Sequence, residues 1–416
     1  EYLIPEALFN KIAPGVRVRV YFGKGNRRTE GIVLNVHELS PEHSLHLKTI
    51  IEVIDETPVL SDKLIKLGLW LREQCFCTFF DIAHSMLPAG VWHKFETAYF
   101  YSNESEYEHA EAIVTGIEQG VDILKHIYSS VNPTKSKDLI TLFGKNCVEK
   151  TIRALLKNKI ISETEYAEQK ISDKTERTVS VLLSEAETEG YITRKKCKIA
   201  VADALRFLRN VEVVSSRELS YFTGITSSQL NTLKKNGVVA FGNEVVYRRP
   251  KPSAFSKKQT IVLNAFQEDV FQEICNDMRK GATCALLHGV TGSGKTLIYF
   301  KLIEKVIADK KAAILLVPEI SLTPQLLGKV YSYFGERTAV MHSALSAGER
   351  YDEWKRIKNG DVDVVVGTRS AIFSPLDNIG IIILDEEQED TYKSSSTPRY
   401  HAVKAAKFRC VNENAL

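Results

Sequence analysis

The sequence predicts a multidomain chain: a small β-rich N-terminal domain, a winged-helix-like region, and an α/β P-loop lobe. Three observations predict it. A short apolar stretch leads into the glycine-rich run GVTGSGKT, Gly289 to Thr296, which opens an amphipathic helix. Two stretches, beginning at Leu124 and Leu205, repeat one helical pattern. Within residues 1 to about 100, VRVRVYFG (Val16 to Gly23) alternates as a half-buried strand does, and two further strand-like runs follow.

The length of 416 residues is enough for two to four domains. With 44% hydrophobic and 26% charged residues, the composition is that of an ordinary globular protein. The formal net charge of +3 neither demands nor excludes nucleic acid, so a DNA surface has to come from local clustering. No apolar run approaches a membrane span, and no signal peptide is visible, so no membrane partner is expected. The seven cysteines form no CxxC pair, which argues against a zinc site or a disulfide framework. Cys75 and Cys77 read as buried free thiols, and a reducing cytoplasm fits. The chain starts at Glu1 without a methionine and ends in mid-pattern at NENAL, so it reads as a fragment.

The β-rich domain is expected over residues 1–104. VRVRVYFG (Val16 to Gly23) alternates like a half-buried strand, KGNRR is a turn, and GIVLNV (Gly31 to Val36) returns. Lys48 to Ile54 gives a third strand, and a helix follows over roughly Asp62 to Glu73. The turn carries a basic tip of Lys24, Arg27 and Arg28. Over residues 105–250, each repeat has an apolar helix and a short helix opened by Ser136 or by Ser215 and Ser216. A glycine follows (Gly144 or Gly224), then a second helix and a strand. That is a helix-turn-helix rhythm with a wing, twice over. Its third helices would offer Lys145, Lys150, Arg153 and Lys157, or Lys234 and Lys235, to DNA. The alternative is a protein-contact or spacer role. Residues 251–259 read as a linker, and the α/β lobe runs from Thr260 to Leu416.

The chemistry sits in that lobe. An apolar strand is expected at Cys284 to Leu287, feeding the loop. Gly289, Gly292 and Gly294 let backbone approach phosphates. Val290, Thr291 and Ser293 complete a cradle whose amides and helix N-terminus present positive dipole ends. Lys295 reaches the β- and γ-phosphates of ATP, and Thr296 offers its hydroxyl to Mg²⁺. About 90 residues on, the strand Ile381 to Leu384 delivers Asp385 and Glu386 at its C-terminal end, where open α/β sheets bind ligands. Asp385 is placed to hold Mg²⁺, and Glu386 to orient and deprotonate the attacking water. AAILLVPEISLTPQ (Ala312 to Gln325) reads as strand, loop and helix start. VDVVVGTRSAIFSP (Val362 to Pro375) reads as a buried strand ending in a loop whose Thr368, Arg369 and Ser370 would donate to DNA phosphates. For Arg369 the alternative is a structural salt bridge.

GVTGSGKT, LVPEISLTPQ, MHSALSAGER, VVVGTRSAIFSP and ILDEEQEDTYK with PRYHA together resemble the PriA family of bacterial primosomal (N′) helicases. YLIPE followed by PGVRVRVYFGKGNRRTEGIVLNV resembles that family's domain for capturing a DNA 3′ end, so the resemblance covers essentially the whole chain. It implies a RecA-like helicase lobe 1 and an ATP-dependent 3′-to-5′ DNA helicase of the second superfamily. Such an enzyme recognises stalled or abandoned replication forks and helps reload the replicative helicase. The implied partners are replication forks, DNA 3′ ends, single-stranded DNA, primosome proteins and single-stranded-DNA-binding protein. The bacterial nucleoid is the implied location. Gly23 and Lys48 match the family's end-capturing positions, and its Phe-Asp step falls just before or at Glu1. In helicases a glutamine at the place of Gln267 reads the adenine edge. The segment QEDTYKSSSTPRYHAVKAA resembles the aromatic-rich loop that couples DNA binding to hydrolysis, with Tyr392, Lys393, Arg399, Tyr400 and His401 at matching positions. Mixed aromatic and basic residues on a loop also suit single-stranded DNA by themselves. The alternative there is a loop whose tyrosines pack on the lobe. Gln388 stands where the family usually has His, and it would still link nucleotide to DNA.

The family continues with a Ser-Ala-Thr coupling motif, a second lobe with arginine fingers, and a zinc-binding cysteine cluster, none of which is in this sequence. Weak hydrolysis by these residues alone is expected, because an arginine finger is worth about 10³ to 10⁵ in rate. The rival reading is a nucleotide-independent module that binds forks or docks primosome proteins. A restriction-type translocase is a third, which the GTRSAIF strand and the N-terminal β-domain oppose.

Overall fold

The computed structural model describes residues 1–24, 27–38, 47–102, 107–130, 132–169, 174–195, 197–211, 213–245, 247–248, 261–290 and 292–416. The expected linker at 251–259 lies outside them. The chain divides into two compact units, Pro88–Ser172 and the remainder, Glu1–Leu87 with Asp173–Leu416.

The N-terminal part of the larger unit holds β1 (Tyr2–Leu3), β2 (Arg17–Phe22), β3 (Arg27–Ile32) and β4 (Lys48–Val53) in the sheet order β1-β4-β2-β3. β2 runs antiparallel to β3 and β4, and β1 runs parallel to β4. The returning strand therefore starts at Arg27 and not at Gly31. Pairing Phe22 with Arg27 closes a tight hairpin and carries the basic residues into the strand. Val18, Val20 and Ile50 form the apolar side. Arg17 and Arg19, on the opposite side, are buried too, so β2 is covered on both faces. Arg17 meets both carboxylate oxygens of Asp55, at 2.9 and 2.6 Å, which compensates for its burial. Two helices follow, α1 (Asp62–Cys75) and α2 (Phe79–Met86). Ser61 caps α1 by accepting from the Leu64 amide, and Thr78 with Asp81 forms a capping box on α2. Cys75 and Cys77 are half-buried, not buried: Phe76 between them ends α1 at φ 50° and is 95% exposed.

The unit Pro88–Ser172 contains β5 (His93–Tyr101), α3 (Tyr107–Val114), α4 (Gly120–Ser129), β6 (Thr134–Lys135), α5 (Ser136–Phe143), α6 (Lys145–Lys157) and β7 (Ile161–Gln169). Its sheet order is β6-β5-β7. The expected boundary at 104 thus falls at 87/88, because β5 pairs along its whole length with β7. In the larger unit, β8 (Thr175–Val181), α7 (Glu185–Lys195), α8 (Ile199–Asn210), β9 (Val214–Ser215), α9 (Ser216–Thr223), α10 (Ser227–Lys235) and β10 (Val239–Val245) follow. They reproduce the same element order, with sheet order β10-β8-β9. The repeat is therefore present in the fold, and it begins one strand earlier than the helical pattern indicated. Leu139, Val148, Ile152 and Leu155 build one core, and Leu219, Leu230, Leu233 and Val238 the other. In each case the 3.6-residue apolar period leaves the lysines outward.

The remaining elements are α11 (Ala265–Arg279), α12 (Lys295–Ala308), β11 (Ala312–Leu316), α13 (Pro324–Phe334), β12 (Thr338–Met341), α14 (Ala347–Lys358), β13 (Val364–Gly367), β14 (Ile379–Leu384) and α15 (Ala402–Glu413). Their strands form one parallel sheet in the order β12-β13-β11-β14. The strands are almost wholly apolar, as a parallel sheet covered by helices requires. Ala313, Leu315, Val364, Val366, Ile381 and Ile383 share a core with Ile298, Leu302 and Ile303 of α12. The strand expected at Cys284–Leu287 is not formed, and Leu286 is 82% exposed. A strand needs a free sheet edge. The outer edge of β14 is met by Leu416, whose carbonyl accepts from the Ile382 amide at 2.8 Å and whose amide donates to the Gly380 carbonyl.

The N-terminal sheet and helices pack on this lobe within the larger unit. Lys358 Nζ donates to Thr57 Oγ1 at 3.0 Å, Lys63 donates to the Asp377 carbonyl, and Trp70 of α1 stacks on Phe408 of α15.

Candidate nucleotide and DNA site

The glycine-rich loop folds because its glycines accept backbone that other residues resist. Gly292 and Gly294 sit at φ 81° and 84°. At Gly294 a Cβ would also lie 2.2 Å from Gln267 Nε2, so the end of that side chain would have to move. Lys295 opens α12 and turns back over the loop, its Nζ 2.7 Å from the Gly289 carbonyl and 3.2 Å from that of Val290. Thr296 is the next residue of the same helix. Thr291 lies outside the described residues. Gln267 has a local task. Its Oε1 accepts from the Asn264 amide in the capping box of α11, and its Nε2 donates to the Ser293 carbonyl, tying that helix to the loop.

The acidic pair ends β14 as the strand pattern requires. The Asp385 amide donates to the Leu316 carbonyl, which carries the β11 pairing one residue past the strand. Tyr299, one turn after Thr296 on α12, reaches Asp385 Oδ1 with its hydroxyl at 3.3 Å. Residues three apart share a helix face, so Thr296 and Tyr299 lie on the same side of α12. Burial and the neighbouring Glu386 push the Asp385 carboxyl above the ordinary carboxylate range, while Tyr299, the Glu386 backbone and Lys295 pull it down. Glu386 adopts a left-handed φ of 48°, a strained position for a side chain of its kind. Gln388 Nε2 donates to Glu386 Oε2 at 2.7 Å and fixes its direction. A hydroxyl and a carboxylate are hard oxygen donors, which suits Mg²⁺ held by one or two protein groups plus nucleotide phosphates. Among the described residues no group of three or more His, Cys, Asp or Glu side chains is arranged to hold a metal by itself, and a site completed by phosphates needs none.

The residues expected to face DNA divide into two sets. Tyr392 is 1% exposed; its hydroxyl donates to the Asp385 carbonyl at 2.6 Å and also lies 3.0 Å from the Leu316 carbonyl. Tyr400 is 5% exposed and packs against the Phe373 ring at 4.8 Å, and burial pushes its hydroxyl well above the usual range. Neither ring is therefore a stacking platform for bases, because the loop folds back and uses both as anchors. Thr368 is buried, and its amide donates to the Met341 carbonyl instead of facing solvent. Gly367 before it has to be glycine, since a Cβ would lie 2.1 Å from that same carbonyl oxygen. Arg369 makes no salt bridge among the described residues. Its Nη1 donates to the Thr391 carbonyl at 3.1 Å and lies 3.4 Å from that of Lys393, clamping the aromatic loop. Ser370, Lys393 and Arg399 are exposed. His401 closes the loop by bridging to Lys393.

In the N-terminal sheet the two expected positions meet. Lys48 Nζ donates to the Gly23 carbonyl at 2.5 Å. Tyr2 lies opposite Lys48 in the β1–β4 pairing, and its hydroxyl donates to the Tyr21 carbonyl at 3.2 Å. Phe22 beside them is exposed. In the repeats, Lys145, Lys150, Arg153 and Lys157 of α6 and Lys234 and Lys235 of α10 are all exposed. Tyr299 was not among the residues expected at the site; its one signal in the sequence is a hydroxyl one turn past Thr296 on the amphipathic helix α12.

A family described as the 3′ DNA-binding domain matches residues 1–88, and the DEAD/DEAH box helicase family matches residues 264–410. The chain is 36% identical over 412 residues to the replication restart protein PriA of Bacillus subtilis, covering 98% of this chain and 49% of that protein. It is 28% identical over 405 residues to the PriA of Chlamydia trachomatis, covering 96% and 44%. It is 51% identical over 134 residues to that of Treponema pallidum, covering 32% and 20%. The chain thus spans about half the length of the relatives it matches along nearly all of its own. No helix among the described residues is long and apolar enough to cross a membrane.

Proposed function

Because this chain belongs to the PriA family of replication restart proteins, with a 3′ DNA-binding domain and a helicase domain, we propose that it forms the DNA-end-reading part and first motor lobe of an ATP-dependent 3′-to-5′ DNA helicase. The observation that carries the reading is the Tyr299–Asp385 contact, which ties the helix opened by the phosphate loop to the strand bearing the acidic pair. In this reading Lys295 and the loop amides bind the β- and γ-phosphates. Thr296 and Asp385 hold Mg²⁺, which neutralises phosphate charge when bound. Glu386, aimed by Gln388, takes the proton of the attacking water.

Gly23 and Lys48 receive the terminal nucleotide of a DNA 3′ end, and Ser370, Lys393 and Arg399 meet phosphates of the single strand. The two repeats act as winged-helix-like units that present α6 and α10 to DNA or to another protein. The chain would act at stalled or abandoned forks, with primosome proteins and single-stranded-DNA-binding protein as partners and the bacterial cytoplasm as its place of work. An adenine-reading role for Gln267 requires it to leave its cap on α11, and we propose that role only with that exchange.

A second reading, a fork-binding module whose lobe serves as scaffold, is favoured by one observation: residues 284–287 stand outside the sheet. Titration of the chain with a fluorescent ATP analogue separates the two. Lys295→Ala should weaken binding by tenfold or more, the size of a lost charge-assisted contact, while fork binding persists. Equal nucleotide affinity in the variant and the parent would sink the phosphate-loop assignment and leave the scaffold reading.

A further inference from the structure

Tyr299 lies on α12 between Ile298 and Phe300, all three buried in the core beneath the parallel sheet. Its ring serves that core as a phenylalanine would. Its hydroxyl needs a separate reason, because a buried hydroxyl without a partner is costly. Among the described residues its hydrogen bond goes to one acceptor, Asp385 Oδ1. The backbone of Asp385 is already fixed, by its amide on Leu316 and by the Tyr392 hydroxyl on its carbonyl. What remains free is rotation of the carboxylate, and the phenolic hydroxyl restrains it.

We propose that Tyr299 is a positioning residue of the nucleotide site. It donates to Oδ1 of Asp385 and keeps that carboxylate turned toward the Thr296 end of α12, ready for the metal ion that accompanies nucleotide. The proposal rests on the nucleotide-binding reading above and adds a residue to it. A tyrosine serves here where a lysine or arginine would not. A cation would neutralise the carboxylate and compete with the metal, whereas a neutral donor orients the charge and leaves it in place. It also links the order of the phosphate-loop helix to the order of the acidic strand, so that the two halves of the site form together.

The test uses the whole 416-residue chain and titrates a fluorescent ADP analogue with excess Mg²⁺ and, separately, with EDTA. Tyr299→Phe should lose about fivefold of the Mg²⁺-supported affinity, the scale of one ordinary hydrogen bond, and keep the metal-free affinity. Asp385→Asn should lose at least as much of the Mg²⁺ enhancement. Adding Tyr299→Phe to it should change nothing further, since the hydroxyl acts through the carboxylate. An unchanged Mg²⁺ enhancement in Tyr299→Phe would overturn the proposal. So would an equal loss with and without metal, which marks a packing role only. A parent chain that binds no nucleotide under either condition would overturn the phosphate-loop reading, and the proposal with it.

Discussion

Trp70 and Phe408 stack with ring centroids 4.6 Å apart and planes 20° apart, joining helix α1 of the N-terminal region to helix α15 of the α/β lobe. The stack is flanked by Lys63, which lies 3.5 Å from the buried Glu413 carboxylate. Glu413 in turn accepts from Arg409 Nε at 2.7 Å, and Arg409 reaches the carbonyls of Ile372 and Ser374 just past the GTR segment. A contiguous set of contacts therefore runs from the N-terminal helices to the edge of the α/β lobe. Offset aromatic pairs of this kind are worth about 0.5–1.5 kcal/mol beyond the area they bury.

Trp70→Ala should cost about 2 kcal/mol of stability, the pair energy plus a half-buried ring. Denaturant unfolding of the parent and the variant checks it. A difference below about 0.5 kcal/mol, typical of an ordinary surface change, would mean that the stack does not hold the two regions together.

Gly294→Ala meets two obstacles, a backbone at φ 84° and the Gln267 amide where its Cβ would lie. Left-handed backbone costs a non-glycine residue about 1–2 kcal/mol. Displacing the Gln267 side chain also opens one half of the capping box on α11. The variant should bind the ATP analogue at least tenfold more weakly than the parent, whereas Gly281→Ala, at a similar φ but away from the loop, should not. Equal affinity in both variants would show that the loop tolerates the change.

Tyr392→Phe keeps the ring and removes the hydroxyl from the carbonyls of Asp385 and Leu316. If the residue anchors the loop, stability should fall by about 1–2 kcal/mol, because a buried acceptor loses its donor. Affinity for single-stranded DNA at low temperature should stay as in the parent. A stable variant with weakened DNA binding would reverse the assignment and return Tyr392 to the DNA surface.

Lys393→Ala and Arg399→Ala should each weaken binding of single-stranded DNA without regard to sequence. Each should flatten the slope of log affinity against log salt by about 0.7, the value for one phosphate contact on a single strand. Binding measured across a salt series decides it, and an unchanged slope in both variants would remove the loop from the DNA path.

The Lys295–Asp385–Glu386 constellation was legible because each residue is specified by its immediate surroundings. A glycine-rich loop before an amphipathic helix and a carboxylate pair after an apolar strand are local patterns. The tandem repeat was legible for the same reason, through its helical period. Its leading strands β5 and β8 were not, since a strand is defined by its partner, and β7 lies more than 50 residues along the chain from β5. The same limit explains Tyr392 and Tyr400. Their composition fits a stacking loop equally well whether the rings face DNA or the lobe, and only the contacts with Leu316, Asp385 and Phe373 decide. It also applies to Cys284–Leu287, whose apolar run fits a strand equally well whether or not a sheet edge receives it; Leu416 takes part of the β14 edge.

By itself the sequence placed a glycine-rich loop before a helix and an acidic pair after a strand, and it pointed to the family, because motif and period are properties of neighbours along the chain. Tertiary structure alone decided which faces are covered twice, which aromatic rings are anchors, and that Tyr299 meets Asp385. Those outcomes depend on pairing and packing between residues far apart in sequence, where several partners satisfy the same local pattern and only the assembled core selects one.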